Sequence, residues 1–165
     1  MNESDLQKLN TAVEYLLGQA TFSTTVERLN KELAASKETF VWSTVELDSM
    51  PCELPPDIKS CWIFYLRQGV SSGCHYHPNS IQHMIVISGQ GTSIVGGERK
   101  TMPSFASLSN SPTDKWYVIE QNVPHEFIPE KENMTVISFH TCNESELEEI
   151  ACQTGGKRLY EGIHT

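Results

Sequence analysis

The chain has 165 residues, with 21 acidic against 12 basic side chains and a net charge of −9 at neutral pH. That length suits one domain with a substantial core. The negative balance, with no basic stripe to neutralise phosphates, argues against nucleic acid and against an anionic membrane surface as partners. The longest apolar run, residues 61–66, is far too short to span a bilayer. Residues 1–5 lack the basic and apolar regions of a secretion signal, so the expectation is a soluble cytoplasmic protein. Five cysteines, an odd number with no C-x-x-C, predict thiols rather than a disulfide framework. Cys74 reads as a packed thiol, and Cys52 and Cys61, flanking a proline-rich loop, are the pair that could meet.

The first third predicts two amphipathic helices. Ser4-x-x-Gln7 has the form of a capping box, and Leu6, Leu9, Val13, Leu16 and Leu17 then recur at helical spacing until Gly18. Thr24-x-x-Glu27 repeats the capping pattern ahead of Val26, Leu29 and Leu33. The leucine stripes of both helices need cover, against a β-structure or a second subunit.

From residue 40 the period changes to that of strands. Residues 40–47 and 60–67 read as strands around a loop that holds three prolines. Residues 81–88 and 92–95 flank Gly89-Gln90-Gly91, a hairpin turn. Residues 116–119, 126–128 and 135–142 give further short strands; residues 143–152 read as a short acidic helix and those after Gly155-Gly156 as a loose tail. Many short strands with glycine turns predict an antiparallel sandwich or barrel. If Gln82 points inward, Met84, Val86 and Ser88 share its face, while His83, Ile85 and Ile87 point outward. That outer face is too apolar for water, which predicts cover by the helices or a homodimer, with His83 as a surface or interface residue.

The histidines carry the chemistry. In Gly69-x5-His75-x-His77-x4-Gln82-x6-Gly89, the pair at i and i+2 projects to one side of an extended strand. On spacing alone such a pair is more often a solvated strand face than half of a metal site, and the flanking Gly69 and Gly89, where a chain of short strands must turn sharply, strengthen the metal reading. A third histidine in Val123-Pro124-His125-Glu126-Phe127 and the side-chain oxygen of Gln82 would complete a set of donors for one divalent ion. Adjacent strand residues alternate, so Cys74 and Tyr76 should point away from it. Imidazoles accept iron, zinc, nickel or manganese, and do not name the metal. Arg67 reads as an exposed strand-end residue, with a substrate carboxylate as the other possible role.

The stretch from Gly69 to Gly89 resembles the first motif of the cupin superfamily, G-x5-H-x-H-x(3,4)-E-x6-G, with Gln82 where glutamate is usual. The second motif matches only at His125; Asp114, Glu120, Asn122 and Pro129 stand at its other fixed places. Asn122 replaces a glycine, a tolerable change because asparagine visits positive φ readily. The resemblance, over residues 40–142, implies a double-stranded β-helix, the jelly-roll barrel, with two N-terminal helices and a short C-terminal helix. Residues 1–38 would pack on the barrel, 39–142 would form it, and 143–165 would close the same domain.

The resemblance also implies a small-molecule ligand or substrate. A neutral amide at position 82 leaves a bound ion more positive, a stronger Lewis acid. Small cupins with a His-His-Gln-His set resemble lyases, isomerases or cyclases, so redox-neutral chemistry on a small polar substrate is the first expectation. Ser138-Phe139-His140-Thr141-Cys142 resembles the Ser-x-His-x-Tyr strand of cupin thiol dioxygenases, with Cys142 in the tyrosine's place. An iron-dependent dioxygenase is therefore the second expectation, and a non-catalytic ligand-binding or sensor cupin the third. His140 is the candidate acid–base residue, provided it faces the metal.

Overall fold

The computed structural model describes residues 1–102, 104 and 112–160. Helix α1 spans Glu3–Leu17 and α2 spans Ala20–Ala35. The N-cap of α1 is Asn2, whose side chain accepts from the Asp5 amide at 2.8 Å, two residues before the expected Ser4 box. Gly18 ends the helix as predicted. The second capping pattern is not a cap: α2 starts four residues earlier, and the Thr24 hydroxyl bonds back to the Ala20 carbonyl.

Among the described residues eleven strands follow, in two antiparallel sheets. The first sheet runs β1 (Phe40–Val45), β2 (Ser60–Leu66), β9 (Met134–His140), β4 (Gln82–Ser88) and β7 (Trp116–Ile119). The second runs β11 (Lys157–Leu159), β10 (Glu148–Ala151), β3 (His75–Tyr76), β8 (His125–Pro129), β5 (Gly91–Val95) and β6 (Glu98–Met102). A one-turn helix α3, Pro112–Lys115, precedes β7. Strand β6, too polar to read from the sequence, completes a hairpin with β5 through Gly96-Gly97, both at positive φ.

Period-2 alternation sorts the first sheet into two faces. Trp62, Leu66, Met84, Val86 and Val136 point between the sheets, where they meet Phe127 and Met102. Cys61, Ile63, Ile85, Ile137 and Phe139 point the other way and pack with Leu6, Leu9, Val13, Leu16 and Leu29 of the helices. Ile85 is fully buried there. The helices thus supply, within one chain, the cover for which a second subunit was invoked. His83 shares that outer face but is buried rather than at a surface, and burial lowers its pKa.

The C-terminal segment departs from expectation. Residues 143–152 form a short 3-10 turn at Glu144–Glu146 and then strand β10, not a helix. Residues 157–159 form β11, and Tyr160 is buried in the core between the sheets, so this stretch is not a loose tail. Residues 161–165 of that segment lie outside the described residues. Cys74 and Cys152 form a disulfide across 78 residues, with the Cys152 amide donating to the Cys74 carbonyl. The all-thiol expectation fails here because β10 pairs with β3, bringing two distant cysteines to a Cα separation of 5.5 Å. Cys52, Cys61 and Cys142 are free. Among the described residues, no helix is long and apolar enough to cross a membrane.

Candidate metal centre

Three short segments converge between the sheets. His75 on β3 lies directly opposite His125 on β8, with ring centroids 4.3 Å apart. His77 follows two residues after His75, 5.2 Å from it and 5.3 Å from His125. Gly69 at φ 73° opens the loop that delivers β3. Gly89 at φ 90° closes β4, where a Cβ would approach the Asn133 carbonyl to 2.9 Å. Asn122 has φ 63°, the left-handed conformation expected of the residue in the glycine's place, and its amide bonds the His77 carbonyl.

Each of the three rings has its Nδ1 against a backbone carbonyl: His75 on Gly73 at 2.8 Å, His77 on Glu148 at 2.6 Å and His125 on Val123 at 2.9 Å. A carbonyl only accepts, so each Nδ1 carries a proton, which leaves Nε2 as the ligating nitrogen whenever the ring is neutral. The ligand atoms of the three lie within 4.8 Å of one another. The pKa of His77 is lowered to about 4, by burial first and then by the neighbouring His75. His125 is lowered well below the usual imidazole range for the same two reasons. Burial thus keeps both rings neutral, the ligating form.

The fit to a cation rests on two orphaned atoms. His125 Nε2 and Gln82 Oε1 are both buried and have no hydrogen-bond partner. An unpaired buried acceptor costs about 1–3 kcal/mol. Both are acceptors, so a cation or a hydrogen-bond donor satisfies them, and the three clustered imidazoles beside them fit a cation. His75, His77 and His125 could hold one metal ion, and the Gln82 amide oxygen is a fourth donor of suitable chemistry.

His140 faces the same interior. Its ring is 5.2 Å from His77, and it pairs in register with Gln82. It is wholly buried, with Ser80 Oγ 3.0 Å from Nδ1 and Ser138 Oγ 3.0 Å from Nε2. Burial first, and then His77 and His125, lower its pKa well below the usual range. It is not among the residues that line the adjoining pocket.

That small pocket is walled by Phe40, Phe64, Leu66, Met84, Phe127 and Tyr160, with His75, His77 and Gln82 at its polar end. A small polar substrate was expected; the pocket walls are mainly apolar. Arg67 lies outside the site. It donates to the Leu33, Ser36 and Glu38 carbonyls, capping the end of α2.

Two residues of the site were not foreseen. Tyr160 closes the pocket and stacks edge-on with Trp42 at 4.9 Å. Its hydroxyl donates to Glu149 Oε2, and that carboxylate lies 3.7 Å from His75 Nε2. Burial, and then the Glu149 charge, raise the Tyr160 pKa well above the ordinary phenol value, so it stays a donor.

Two packed antiparallel sheets, with inward histidines on the neighbouring strands β3 and β8, define a β-sandwich whose interior holds three imidazoles that could bind one ion. The fold is that of the cupins. Salicylate 1,2-dioxygenase from Pseudaminobacter salicylatoxidans superposes with a TM-score of 0.55 at 14 % identity, over 73 % of this chain and 33 % of that one. A point variant of that enzyme in complex with gentisate gives 0.54 at 15 % identity, over 73 % and 32 %. Oxalate oxidase in complex with the substrate analogue glycolate gives 0.49 at 11 % identity, over 76 % and 57 %. The chain spans about a third of the length of the salicylate dioxygenase chains it matches. No family model and no curated protein matches the chain.

Proposed function

We propose that this chain is a mononuclear metal-dependent enzyme, with His75, His77, His125 and Gln82 as the residues that hold the ion. The observation carrying this reading is the pair of orphaned, buried acceptors, His125 Nε2 and Gln82 Oε1, beside two further Nε2 atoms. All four donors are neutral, so an iron, zinc, nickel or manganese ion would keep its full charge against them and act as a Lewis acid on a substrate oxygen. The pocket fits a small molecule with an oxygen-bearing polar head and an apolar body. Phe40, Phe64 and Phe127 would hold the body and exclude water, with the Tyr160 ring closing the wall. The reaction class is redox-neutral, a lyase or isomerase.

One observation favours a second reading, an iron-dependent dioxygenase. Ser138 and His140 stand on one inward face of β9, with His140 beside His77, as the resemblance to thiol dioxygenases requires. Salicylate 1,2-dioxygenase, which shares the fold, acts on an aromatic acid, a shape compatible with aromatic walls. The test loads metal-free protein with zinc or iron(II) and screens small keto acids, diketones, aromatic acids and thiols. Turnover with zinc in an anaerobic chamber, lost in His125→Ala, is expected. Iron-dependent oxygen uptake that disappears in His125→Ala, with no anaerobic turnover, would replace this reading with the dioxygenase. Tight ligand binding with no turnover under any metal would make the protein a binding or sensor cupin. Sedimentation in the same buffers tests the proposed homodimer, and fractionation of cells the proposed cytoplasmic location.

A further inference from the structure

The C-terminal hairpin is tied to itself more firmly than to the rest of the chain. Among the described residues, β11 is the edge strand of its sheet and pairs with β10 alone. All three of its residues are exposed. Strand β10 meets β3 through two residue pairs, Ile150–Tyr76 and Ala151–His75. The Lys157–Glu148 ion pair and the Tyr160 hydroxyl on Glu149 each join one part of the hairpin to another. At its base, Glu148 is pinned to the body through His77 and Asn79. At its turn, the tether is the Cys74–Cys152 disulfide, beside the bond from the Cys152 amide to the Cys74 carbonyl. A two-stranded hairpin is marginal by itself in water, so the cross-link decides whether this one stays docked.

The hairpin carries the residue that closes the pocket. Tyr160 follows β11 directly and is only 5 % exposed. Its ring meets Trp42, Trp62 and Phe64 edge-on, with centroids 4.9, 5.5 and 6.0 Å away. It lines the pocket together with His75 and His77. Because its hydroxyl bonds to Glu149 of the same hairpin, the ring can leave its place without breaking a polar contact to the body. Withdrawing it would join the space among those aromatic rings to the pocket. The tether is also within reach of a reductant: Cys152 is exposed and Cys74 is half-buried. Exposed disulfides are the labile ones.

We propose that the Cys74–Cys152 disulfide is a redox latch on a C-terminal strap, residues 148–160, whose Tyr160 ring closes the pocket. This rests on the reading of that pocket as the ligand site. The reductant is a dithiol. One of its thiolates attacks the exposed sulfur of Cys152 and breaks the S–S bond; the electron pair leaves on Cys74, which takes up a proton. The second thiol of the reductant then closes on the mixed disulfide and frees Cys152 as a thiol. The protein gains two electrons and two protons, and the reductant ends as a disulfide. The same exchange with a disulfide oxidant runs backwards and shuts the pocket. In a reducing compartment the strap is therefore free and the pocket open, and oxidation closes it.

The test compares the full chain oxidised and after reduction by dithiothreitol, desalted before each assay. Trypsin reads the strap, by mass spectrometry of cleavage after Lys157 and Arg158. The dye 1-anilinonaphthalene-8-sulfonate reads the pocket, by fluorescence. Reduction is expected to speed cleavage at those two residues by at least about tenfold, as local opening exposes them. It is expected to tighten dye binding by at least about tenfold, at one dye per chain, because the open state becomes the populated one. Tyr160→Ala should bind the dye in both redox states. Cys74→Ser/Cys152→Ser should behave as reduced wild type and ignore dithiothreitol; if it does not fold, reduced wild type alone carries the comparison. The β-sheet circular dichroism should survive reduction, and its collapse would overturn a local latch. Cleavage and dye binding that ignore dithiothreitol, while Tyr160→Ala takes up the dye, overturn the latch and leave the pocket reading standing. A strap that opens on reduction, with no dye entering even Tyr160→Ala, overturns the pocket reading itself.

Discussion

Acidifying the metal-free protein should expose the cost of burying its histidines. His77 has a pKa of about 4 in the fold against 6.5 for a free imidazole, because burial and the adjacent His75 oppose its charge. The folded pKa lies below the unfolded one, so for this basic group the unfolded chain binds the proton first. Stability from the neutral ring is full above pH 6.5 and is lost as pH falls from there towards 4. At about 1.4 kcal/mol per pH unit, His77 alone accounts for about 3 kcal/mol by pH 4. In a melting experiment from pH 7.5 to 4.5, about 2–3 kcal/mol becomes roughly 5–10 °C in Tm for a chain of this size. His125 and His140 are lowered in the same direction and add to the slope. Carboxylates titrate over the same range, so the quantity to read is the difference between wild type and His77→Gln, whose amide cannot take the proton. Circular dichroism melts in chelator are the assay. The variant should lose that share of the pH dependence. Parallel curves for the two proteins would refute the claim that His77 is held neutral by burial.

Three further perturbations follow from the packing. Replacing Cys74 and Cys152 by serine should lower stability by about 2–4 kcal/mol in urea titrations and weaken metal binding, because β10 loses its anchor; an unchanged midpoint would contradict the pairing. Gly91→Ala should cost about 2–3 kcal/mol, since its methyl group would drive into the Ile128 carbonyl on β8; a neutral effect would show that β5 and β8 are not so closely paired. Arg67→Met should cost about 1–2 kcal/mol through the three carbonyls it caps and leave metal content unchanged; a loss of metal with stability intact would place Arg67 in the site after all.

How far the sequence carried depended on whether a feature was local. The alternation of β4 was legible because its period of two is intrinsic to a strand, and it correctly placed Gln82, Met84 and Val86 on one face and Ile85 on the other. The convergence of His75, His77 and His125 was legible because i, i+2 spacing fixes one face and a motif supplied the distant third. The C-terminal segment was not legible. Its run of glutamates has helical propensity, and only pairing with β3 makes it a strand. The disulfide and the Glu149–Tyr160 pair depend on that same pairing, so they were hidden with it. His83 was misplaced for a related reason: alternation gives a face, but not what covers that face. Polar strand β6 had no apolar signal at all; the Gly96-Gly97 turn before it was the available clue.

The central claim is that three buried imidazoles hold one ion, and elemental analysis tests it most directly. Wild-type protein, purified without chelator and dialysed, should carry close to one equivalent of a divalent transition metal per chain. The His75→Ala/His77→Ala double variant, folded by circular dichroism, should carry almost none. Equal metal content in the two proteins would contradict the account.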